Sequence, residues 1–316
     1  MQPEAPQDAA APGSWPSATA VIPTRDRPEL LLRALRSIVA QDYPGHVELI
    51  VVFDGCEPTE IDLDLPENRS LRILTNSRTP GLAGNRNTGY LAATGDYVGS
   101  CDDDDEWMPT KLSAQIALLE SRPDASICAT GMLVTYNGED IPRPAPAHDL
   151  TVQDFLRSRY AEVHSSALLM NRRVMLDEIG LFDEELPGSY GEDYEILIRG
   201  ARRGPVVCVP DALTRVYFHD QSFFVSRWRT IDEALTYLLA KVPEFQDDRE
   251  GLARILGQLA FANAAVGERK QAVAYARRSL TRDPRARHSY AALLVASGLV
   301  SADKVVAMAR QRGRGI

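Results

Sequence analysis

Four consecutive carboxylates, Asp102 to Asp105, follow an apolar segment at residues 97–101 and precede Trp107. Adjacent like charges repel one another unless a cation offsets them. Oxygen ligands suit the hard cations Mg²⁺ and Mn²⁺, which bind through one or two carboxylates together with substrate phosphates. The run therefore predicts a divalent cation and a diphosphate at this position. The alternative is a solvated acidic turn, which rarely follows so apolar a segment.

A second acidic pair, Glu192 and Asp193, opens a helix predicted at residues 194–203. Carboxylates commonly cap the first backbone N–H groups of a helix, and capping alone would account for the pair. A carboxylate held across a cleft from a metal can also take the proton from an attacking hydroxyl. His219 follows a predicted strand, and histidine is a frequent metal ligand. A hydrogen-bonded structural histidine is the alternative.

Polar and basic side chains also follow the first predicted strand. Thr24, Arg25 and Arg27 could hold a phosphate or a nucleotide base, because bidentate contacts from arginine supply geometry as well as charge. A surface turn is the alternative. Arg86 and Asn87 begin a later helix, and physical reasoning alone gives them no role beyond polar positions at a helix start.

The elements that position these residues alternate along the chain. Strands are predicted at residues 18–22, 47–53, 71–74 and 97–101, with helices at 30–40 and 82–93. Such alternation predicts an α/β fold with a doubly wound, mostly parallel sheet. Ligands of these sheets bind at the carboxyl ends of the strands. That rule selects Pro23 to Arg27, Asp54 and the acidic run.

The rest of the chain divides into less regular parts. Further strands are predicted at residues 126–135, 165–170, 206–209 and 213–218, with a mobile loop, rich in Gly and Pro, at 137–146. We expect a disordered lead-in at 1–17, a catalytic domain at 18–224 and an all-α extension at 225–316. Within the extension, Gly267, Ala272, Leu280 and Pro284 resemble one tetratricopeptide-like helix pair, and an ordinary helical bundle is the alternative.

Composition narrows the class of protein. The 316 residues carry a formal charge of −9, which argues against nucleic-acid binding, since that affinity depends on Lys and Arg. The four cysteines lie far apart and indicate reduced thiols in a cytoplasmic protein. No apolar run is long enough to span a membrane. Basic clusters at 227–229 and 310–314 could contact an anionic membrane surface, with a solvated helix face as the favoured alternative. A homo-oligomer is also open.

Taken together, these segments resemble glycosyltransferase family 2, whose members are inverting enzymes with the GT-A fold. The resemblance covers residues 18–222 and depends on several motifs in order. They are VIPTRDRP at 21–28, ELIVVFDG at 48–55, GLAGNRNTG at 81–89, GDY at 95–97, the acidic run, and GEDYE at 191–195 with Arg199. The chain departs from many members at residues 53–54 and 25–26, which bears on the nucleotide that it would bind.

The resemblance implies a role for each matching residue. Residues expected to line the nucleotide pocket are Pro23, Thr24, Arg25 and Asp54, with Arg86 near the ribose or phosphates and Asp54 at the base. The D-x-D motif falls on Asp102 and Asp104, so Asp104 would bind the metal while Asp102 and Asp103 lie nearer the ribose or sugar. Asp193 matches the catalytic base, with Glu192 beside it, and His219 resembles a histidine that completes the metal shell.

The predicted function is therefore a metal-dependent, inverting glycosyltransferase that uses a nucleotide-diphosphate sugar and Mn²⁺ or Mg²⁺. The acceptor hydroxyl could belong to a glycan, a lipid-linked sugar, a peptide or a small molecule. Two alternatives stay open: a catalytically inert scaffold that acts through the helical extension, and a nucleotidyltransferase. Redox chemistry with a dinucleotide is disfavoured because no G-x-G-x-x-G follows the first strand.

Overall fold

The computed structural model describes residues 15–136, 138–218 and 227–310. Asn137, His219, residues 1–14 of the predicted lead-in and residues 311–314 of the second basic cluster lie outside the described residues. In the first third of the chain, the elements are β1 (Ala18–Thr24), α1 (Pro28–Val39), β2 (Val47–Phe53), β3 (Arg69–Thr75), α2 (Leu82–Ala92) and β4 (Tyr97–Ser100). The strands are parallel in the order β3-β2-β1-β4, which confirms the doubly wound α/β fold.

The pairing of β1 with β2 and with β4 places the carboxyl ends of these three strands side by side. Thr24 pairs with Phe53, and Val21 pairs with Ser100. The segments that follow the three strands therefore emerge side by side at one edge of the sheet. β1 and β2 are buried along their whole length because helices cover both faces, as is usual for parallel strands. The predicted ligand-binding edge is thus built on rigid strands.

The sheet continues with antiparallel and mixed pairings. The elements are β5 (Glu106–Trp107), α3 (Lys111–Ser121), β6 (Ile127–Tyr136), β7 (Glu139–Arg143), α4 (Val152–Arg157), β8 (Leu168–Asn171), α5 (Arg172–Val174), α6 (Glu192–Arg203) and β9 (Val206–Tyr217). From β4 the order runs β8-β6-β9-β5, so the described residues form a nine-stranded sheet, with β7 paired to β6. A 3₁₀ turn at Ser165–Ala167 leads into β8.

Two local predictions were wrong. The segment at 137–146 contains β7, which pairs antiparallel with β6; Pro142 is tolerated there because β7 lies at an edge. The two strands predicted at 206–209 and 213–218 form the single strand β9. Thr130 of β6 pairs with Val209, and the next residue, Gly131, pairs with Ala212. Pro210 and Asp211 therefore form an irregularity in the pairing that does not end the strand.

The chain ends in helices, as predicted. They are α7 (Trp228–Lys241), α8 (Arg249–Ala265), α9 (Arg269–Leu280), α10 (Arg287–Ala296) and α11 (Ala302–Arg310). Gly267 forms the turn between α8 and α9 with a φ of 88°, and Ala272 is buried. The tetratricopeptide-like assignment and the domain boundary at 224/225 stay predictions. None of the helices in the described ranges is both long and apolar enough to cross a bilayer.

The first helices of the extension share a hydrophobic core with the sheet. Leu235 and Leu238 of α7 and Leu252 of α8 belong to the same buried cluster as Val21 and Ile50 of the sheet. Gly251 lies against Leu156 of α4 so closely that an added Cβ would come within 2.9 Å of its Cβ atom. The helical extension is therefore packed directly onto the part of the protein that carries the predicted site.

Candidate active site

The acidic run folds around the end of β1. The Asp103 side chain is fully buried and accepts a hydrogen bond from Thr24 Oγ1 at 2.7 Å. Arg27 pairs with Asp103 and also donates from Nη1 to Asp104 Oδ2 at 2.6 Å. Burial, with help from the adjacent carboxylates, raises the pKa of Asp103 to about 6 although Thr24 and Arg27 oppose the shift. These contacts exclude a freely solvated acidic turn.

Arg86 connects the acidic run to the second acidic pair. Its buried guanidinium donates from Nη2 to Asp102 Oδ1 at 2.5 Å, and its Nη1 forms an ion pair with Glu192. Burial would raise the pKa of Asp102, but Arg86 outweighs it and holds that pKa below its usual value. Burial raises the pKa of Glu192 to about 7, and repulsion from Asp193 adds to this shift. One guanidinium thus serves two carboxylates.

Asp102 also belongs to a group that could hold a metal ion. One ligand atom each from Asp102, Asp105 and His164 lies within 4.8 Å of the other two. Ser166 Oγ donates to Asp105 Oδ2 at 2.6 Å. Burial and then the neighbouring Asp102 and Asp104 carboxylates raise the pKa of Asp105 well above its ordinary value. Two close carboxylates and an imidazole fit a divalent cation, which would offset this repulsion.

The group differs from the ligand set that the sequence predicts. Asp102 belongs to both sets. Asp104 is instead paired with Arg27, and His219 lies outside the described residues. The sequence did not indicate that His164 and Asp105 belong to this group, because His164 is 62 positions after Asp102 and reaches it only through the 3₁₀ turn that precedes β8. No local pattern around His164 signals this approach.

A cavity of about 450 Å³ opens at the carboxyl ends of β2 and β3. Asp54 lines it and accepts hydrogen bonds from Asn76 Nδ2 at 2.7 Å and from the Gly81 amide at 2.9 Å. Other lining residues are Gly55, Cys56, Glu57, Thr75, Arg78 and Pro80. The guanidinium of Arg25 lies near Gly55 at the rim. The cavity therefore adjoins two of the positions that the sequence predicts for the nucleotide.

Asp193 lies in the first turn of α6, which begins after Gly191 in the left-handed conformation with a φ of 83°. Its Oδ1 accepts hydrogen bonds from the Tyr194 amide at 2.8 Å and from Arg159 Nη2 at 3.3 Å. The side chain keeps 16% of its surface exposed. Asp193 is thus partly accessible, whereas Glu192 is buried against Arg86.

Two other predicted residues lie behind the surface of the site. Pro23 is buried within β1. The Asn87 amide is fully buried, donates to the Phe182 carbonyl and to Glu184, and accepts from the Phe182 amide at 2.9 Å. Glu184 in turn pairs with Arg78 at the cavity. Asn87 therefore fixes the segment that supports the cavity wall.

Backbone strain concentrates around the site. Among the described residues other than glycine, a positive φ occurs at Asp26, Tyr160 and Ser189. Asp26 adjoins Arg25 and Arg27, Tyr160 adjoins Arg159, and Ser189 precedes the acidic pair at the start of α6. Conformations of this kind persist where the surrounding structure enforces them, and they cluster at functional sites.

Residues 19–180, just over half of the chain, match the model of the family described as Glycosyl transferase family 2. The chain belongs to this family. It is a glycosyltransferase, as the motifs predicted, and the matched segment contains the end of β1, Asp54, Arg86, the acidic run and His164.

Relatives and a solved structure agree with this assignment. WcaA of Escherichia coli K12, a glycosyl transferase named for colanic acid biosynthesis, is 27% identical over 197 residues, covering 58% of this chain and 66% of WcaA. The GalNAc(5)-diNAcBac-PP-undecaprenol beta-1,3-glucosyltransferase of Campylobacter jejuni is 25% identical over 191 residues, or 55% and 57% of the two chains. The glycosyltransferase thus spans about two thirds or less of these relatives.

The fold is also that of a solved transferase. The mannosyltransferase PcManGT of Pyrobaculum calidifontis, solved in complex with GDP-Man and Mn²⁺, superposes with a TM-score of 0.56. The comparison covers 93% of this glycosyltransferase and 90% of PcManGT at 17% sequence identity. It confirms the GT-A fold.

The raised pKa of Glu192 predicts a pH-dependent stability. The folded-state pKa of about 7 exceeds the ordinary value of 4.5, so the folded glycosyltransferase binds this proton more tightly than the unfolded chain does. The contribution is fully present below pH 4.5 and is lost as the pH rises through 7. We expect the melting temperature of Glu192→Gln to fall less between pH 5 and pH 7.5 than that of the wild type. Parallel curves would contradict the assignment.

Proposed function

We propose that this glycosyltransferase transfers a sugar from a nucleotide-diphosphate sugar to an acceptor hydroxyl, with a divalent cation and with inversion at the anomeric carbon. The proposal depends on two features that lie at the same edge of the sheet. The cavity beside Asp54 can take a nucleotide, and the Asp102, Asp105 and His164 group can hold a cation. A metal-dependent site for a nucleotide diphosphate needs both.

Asp102, Asp105 and His164 would hold the cation, and Mn²⁺ or Mg²⁺ fits their donor set. When bound, the cation supplies positive charge that stabilises the departing diphosphate. The Mn²⁺ in PcManGT supports the choice of ion. Asp104 is the competing ligand from the sequence, and its Oδ2 is engaged by Arg27.

The nucleotide would occupy the cavity at the ends of β2 and β3. The Asp54 carboxylate is held in place by Asn76 and Gly81, so it is positioned to accept a hydrogen bond from the base. Arg25 at the rim and Arg27 beside Asp104 would contribute to phosphate binding. Arg86 lies beneath the acidic run, where it orients Asp102.

Asp193 would take the proton from the acceptor hydroxyl as that oxygen attacks the anomeric carbon. Its partial exposure supports this role, because the base must reach a substrate. Glu192 is buried against Arg86 and would fix the start of α6. A single displacement with one base and one leaving group inverts the configuration of the sugar.

The sequence leaves four classes of acceptor open: glycans, lipid-linked sugars, peptides and small molecules. The Campylobacter relative is named for a sugar carried on undecaprenol diphosphate, which supports a lipid-linked or glycan acceptor. The basic cluster at 227–229 lies at the start of α7 and supports a peripheral contact with an anionic membrane.

A thermal-shift screen tests the donor and cation together. We expect one of the UDP-, GDP- and dTDP-sugars to raise the melting temperature of the wild type by roughly 5 °C in Mn²⁺ at saturation, with no comparable effect in EDTA. Asp102→Asn should lose the effect. Asp64→Asn, an exposed carboxylate without a hydrogen-bond partner among the described residues, is the matched control and should keep it.

Two further variants separate the competing ligand sets. His164→Gln abolishes the Mn²⁺-dependent stabilisation by the donor if the group with Asp105 holds the cation, whereas Asp104→Asn abolishes it if the sequence-based set does. If no donor stabilises the wild type with or without a cation, the proposed function is wrong.

A further inference from the structure

Arg78 is a cation in the wall of the cavity, and the proposed mechanism gives it no role. It follows β3, and its Nε donates to Glu184 Oε1 at 2.5 Å. The side chain keeps 38% of its surface exposed. Among the residues that the structure describes, its Nη1 and Nη2 atoms have no hydrogen-bond partner. Two of the three guanidinium nitrogens are therefore available to a ligand in the cavity.

The position of Arg78 in the sheet determines which part of a nucleotide it can meet. The strand order β3-β2-β1-β4 places the end of β3 three strands away from the acidic run, which follows β4. Neighbouring strands lie about 4.8 Å apart, so roughly 14 Å separate β3 from β4. A nucleoside diphosphate with its phosphates at the proposed cation group therefore presents its base, not its phosphates, to Arg78.

Asn76 connects Arg78 to Asp54, the residue proposed to accept a hydrogen bond from the base. Its Nδ2 donates to Asp54 Oδ1 at 2.7 Å. Its Oδ1 accepts from the Arg78 amide at 3.0 Å and from Thr88 Oγ1 at 2.9 Å. The same cavity is thus lined by an acceptor, the Asp54 carboxylate, and a donor, the Arg78 guanidinium, on segments that one side chain holds together.

We propose that Arg78 determines the specificity for the donor nucleotide by recognising its base together with Asp54. The inference rests on the proposed function, because it takes the cavity as the nucleotide site. In uracil, thymine and guanine, a ring N–H lies next to a carbonyl oxygen. Asp54 accepts from that N–H, and Arg78 donates to that carbonyl. Adenine has the reverse order, an exocyclic donor beside a ring acceptor, so in the same position it leaves both protein groups without a partner.

Glu184 holds the guanidinium of Arg78 in place. Its carboxylate also accepts from Asn87 Nδ2 at 2.7 Å and from the Thr79 amide at 3.2 Å. Burial would raise the pKa of Glu184, but hydrogen bonds from Asn87, Arg78 and Thr79 outweigh it and lower that pKa to about 2. Glu184 is therefore ionised at neutral pH and fixes the Nε side of the guanidinium.

Asp183, the residue before Glu184, connects this contact to the helical extension. Its Oδ2 accepts from the Tyr237 hydroxyl at 2.8 Å and pairs with Lys241, and both partners belong to α7. Two adjacent carboxylates thus bind the extension and the cavity wall, respectively. Tyr237 and Lys241 are therefore positioning residues, which act on the nucleotide through Arg78.

Calorimetric titration with UDP, GDP, dTDP and ADP in the presence of Mn²⁺ tests the proposal. We expect the wild type to bind one of the first three at least about tenfold more tightly than ADP. In Arg78→Met, binding of that nucleotide should weaken roughly ten- to a hundredfold, because a hydrogen bond from a charged group is lost. The affinity for ADP should stay unchanged, so the preference for the base largely disappears.

The same titrations test the contact with α7. The double variant Tyr237→Phe/Lys241→Met should weaken the preferred nucleotide by about three- to tenfold and leave ADP unchanged. It should have no further effect when Arg78 is already methionine, because both changes act through one group. The control is Arg202→Gln, which removes a different contact with the extension, a hydrogen bond to Glu244 at 2.7 Å, and should bind all four nucleotides as the wild type does.

The outcomes separate base recognition from the proposed function. Equal weakening of all four nucleotides in Arg78→Met would show a phosphate ligand or a structural residue and overturn the proposal, as would a wild type that binds the four alike or prefers ADP. Either result leaves a cation-dependent nucleotide site intact. A loss in the α7 variant that adds to that of Arg78→Met would overturn the positioning role. If the wild type binds none of the four, the proposed function itself is wrong.

Discussion

Replacing Asp193 by asparagine is expected to lower kcat by roughly 10²- to 10⁴-fold, the range that a general base contributes. The amide is nearly isosteric with the carboxylate but cannot take up the proton of the acceptor hydroxyl. Its oxygen can still accept the hydrogen bonds from Arg159 and the Tyr194 amide, so the fold should be preserved. Initial rates with saturating donor and acceptor measure the effect, and KM for the donor should change little.

Two control variants test the assignment of Asp193 as the base. Asp177→Asn changes an exposed carboxylate without a hydrogen-bond partner in the described part of the chain, and it should keep the wild-type rate. Glu192→Gln should lose far less activity than Asp193→Asn, because Glu192 is buried against Arg86. If Glu192→Gln proves the more severe change, or if the product retains the donor configuration, Asp193 is not the base of a single displacement.

Sequence reasoning located the elements of the site because their signals are local. Strands β1, β2 and β4 are short apolar runs that end in Pro23, Asp54 and the acidic run, and parallel strands bring such ends together. The acidic run is also contiguous, so its carboxylates had to be neighbours in any fold. Patterns of this kind depend on a few adjacent residues, so they can be recognised without knowledge of the tertiary structure.

The contacts that organise the site could not be predicted in the same way. Arg86 reaches Glu192 across 106 positions, His164 approaches Asp102 through the turn before β8, and Arg159 meets Asp193 from the end of α4. Each contact depends on how helices pack on the sheet. The hairpin of β6 and β7 was missed for a related reason, since Gly138 and Pro142 indicate a loop unless the edge position of β7 is known.

The helical extension shows how remote packing contributes to the site. Arg254 of α8 contacts the Leu156 carbonyl on α4 and the Tyr194 hydroxyl on α6. These two helices carry the neighbours of Arg159 and Asp193. The extension therefore holds the two segments that carry Arg159 and the proposed base Asp193, whatever its relation to tetratricopeptide repeats.

The largest effect on stability is expected from Arg86→Met. This substitution removes the guanidinium that Asp102 and Glu192 share and leaves two carboxylates without their cation in a buried site. Removing one partner of a buried ion pair costs about 3–5 kcal/mol, and the loss should appear in urea unfolding at pH 7.5. Arg78→Met is the matched control, because Arg78 pairs with Glu184 while 38% exposed, and such a pair contributes about 1 kcal/mol or less.

The dependence of that loss on pH separates electrostatics from packing. The pKa of Glu192 is about 7 in the wild type, where Arg86 opposes the upward shift that burial causes. The ion pair that the variant lacks therefore forms in the wild type only as the pH rises through about 7. The destabilisation by Arg86→Met should therefore shrink between pH 7.5 and pH 5.5, and adding Glu192→Gln should recover part of the loss at pH 7.5. A deficit that is constant with pH and unaffected by the second substitution would mean that Arg86 stabilises the fold through its packed volume and not through its charge.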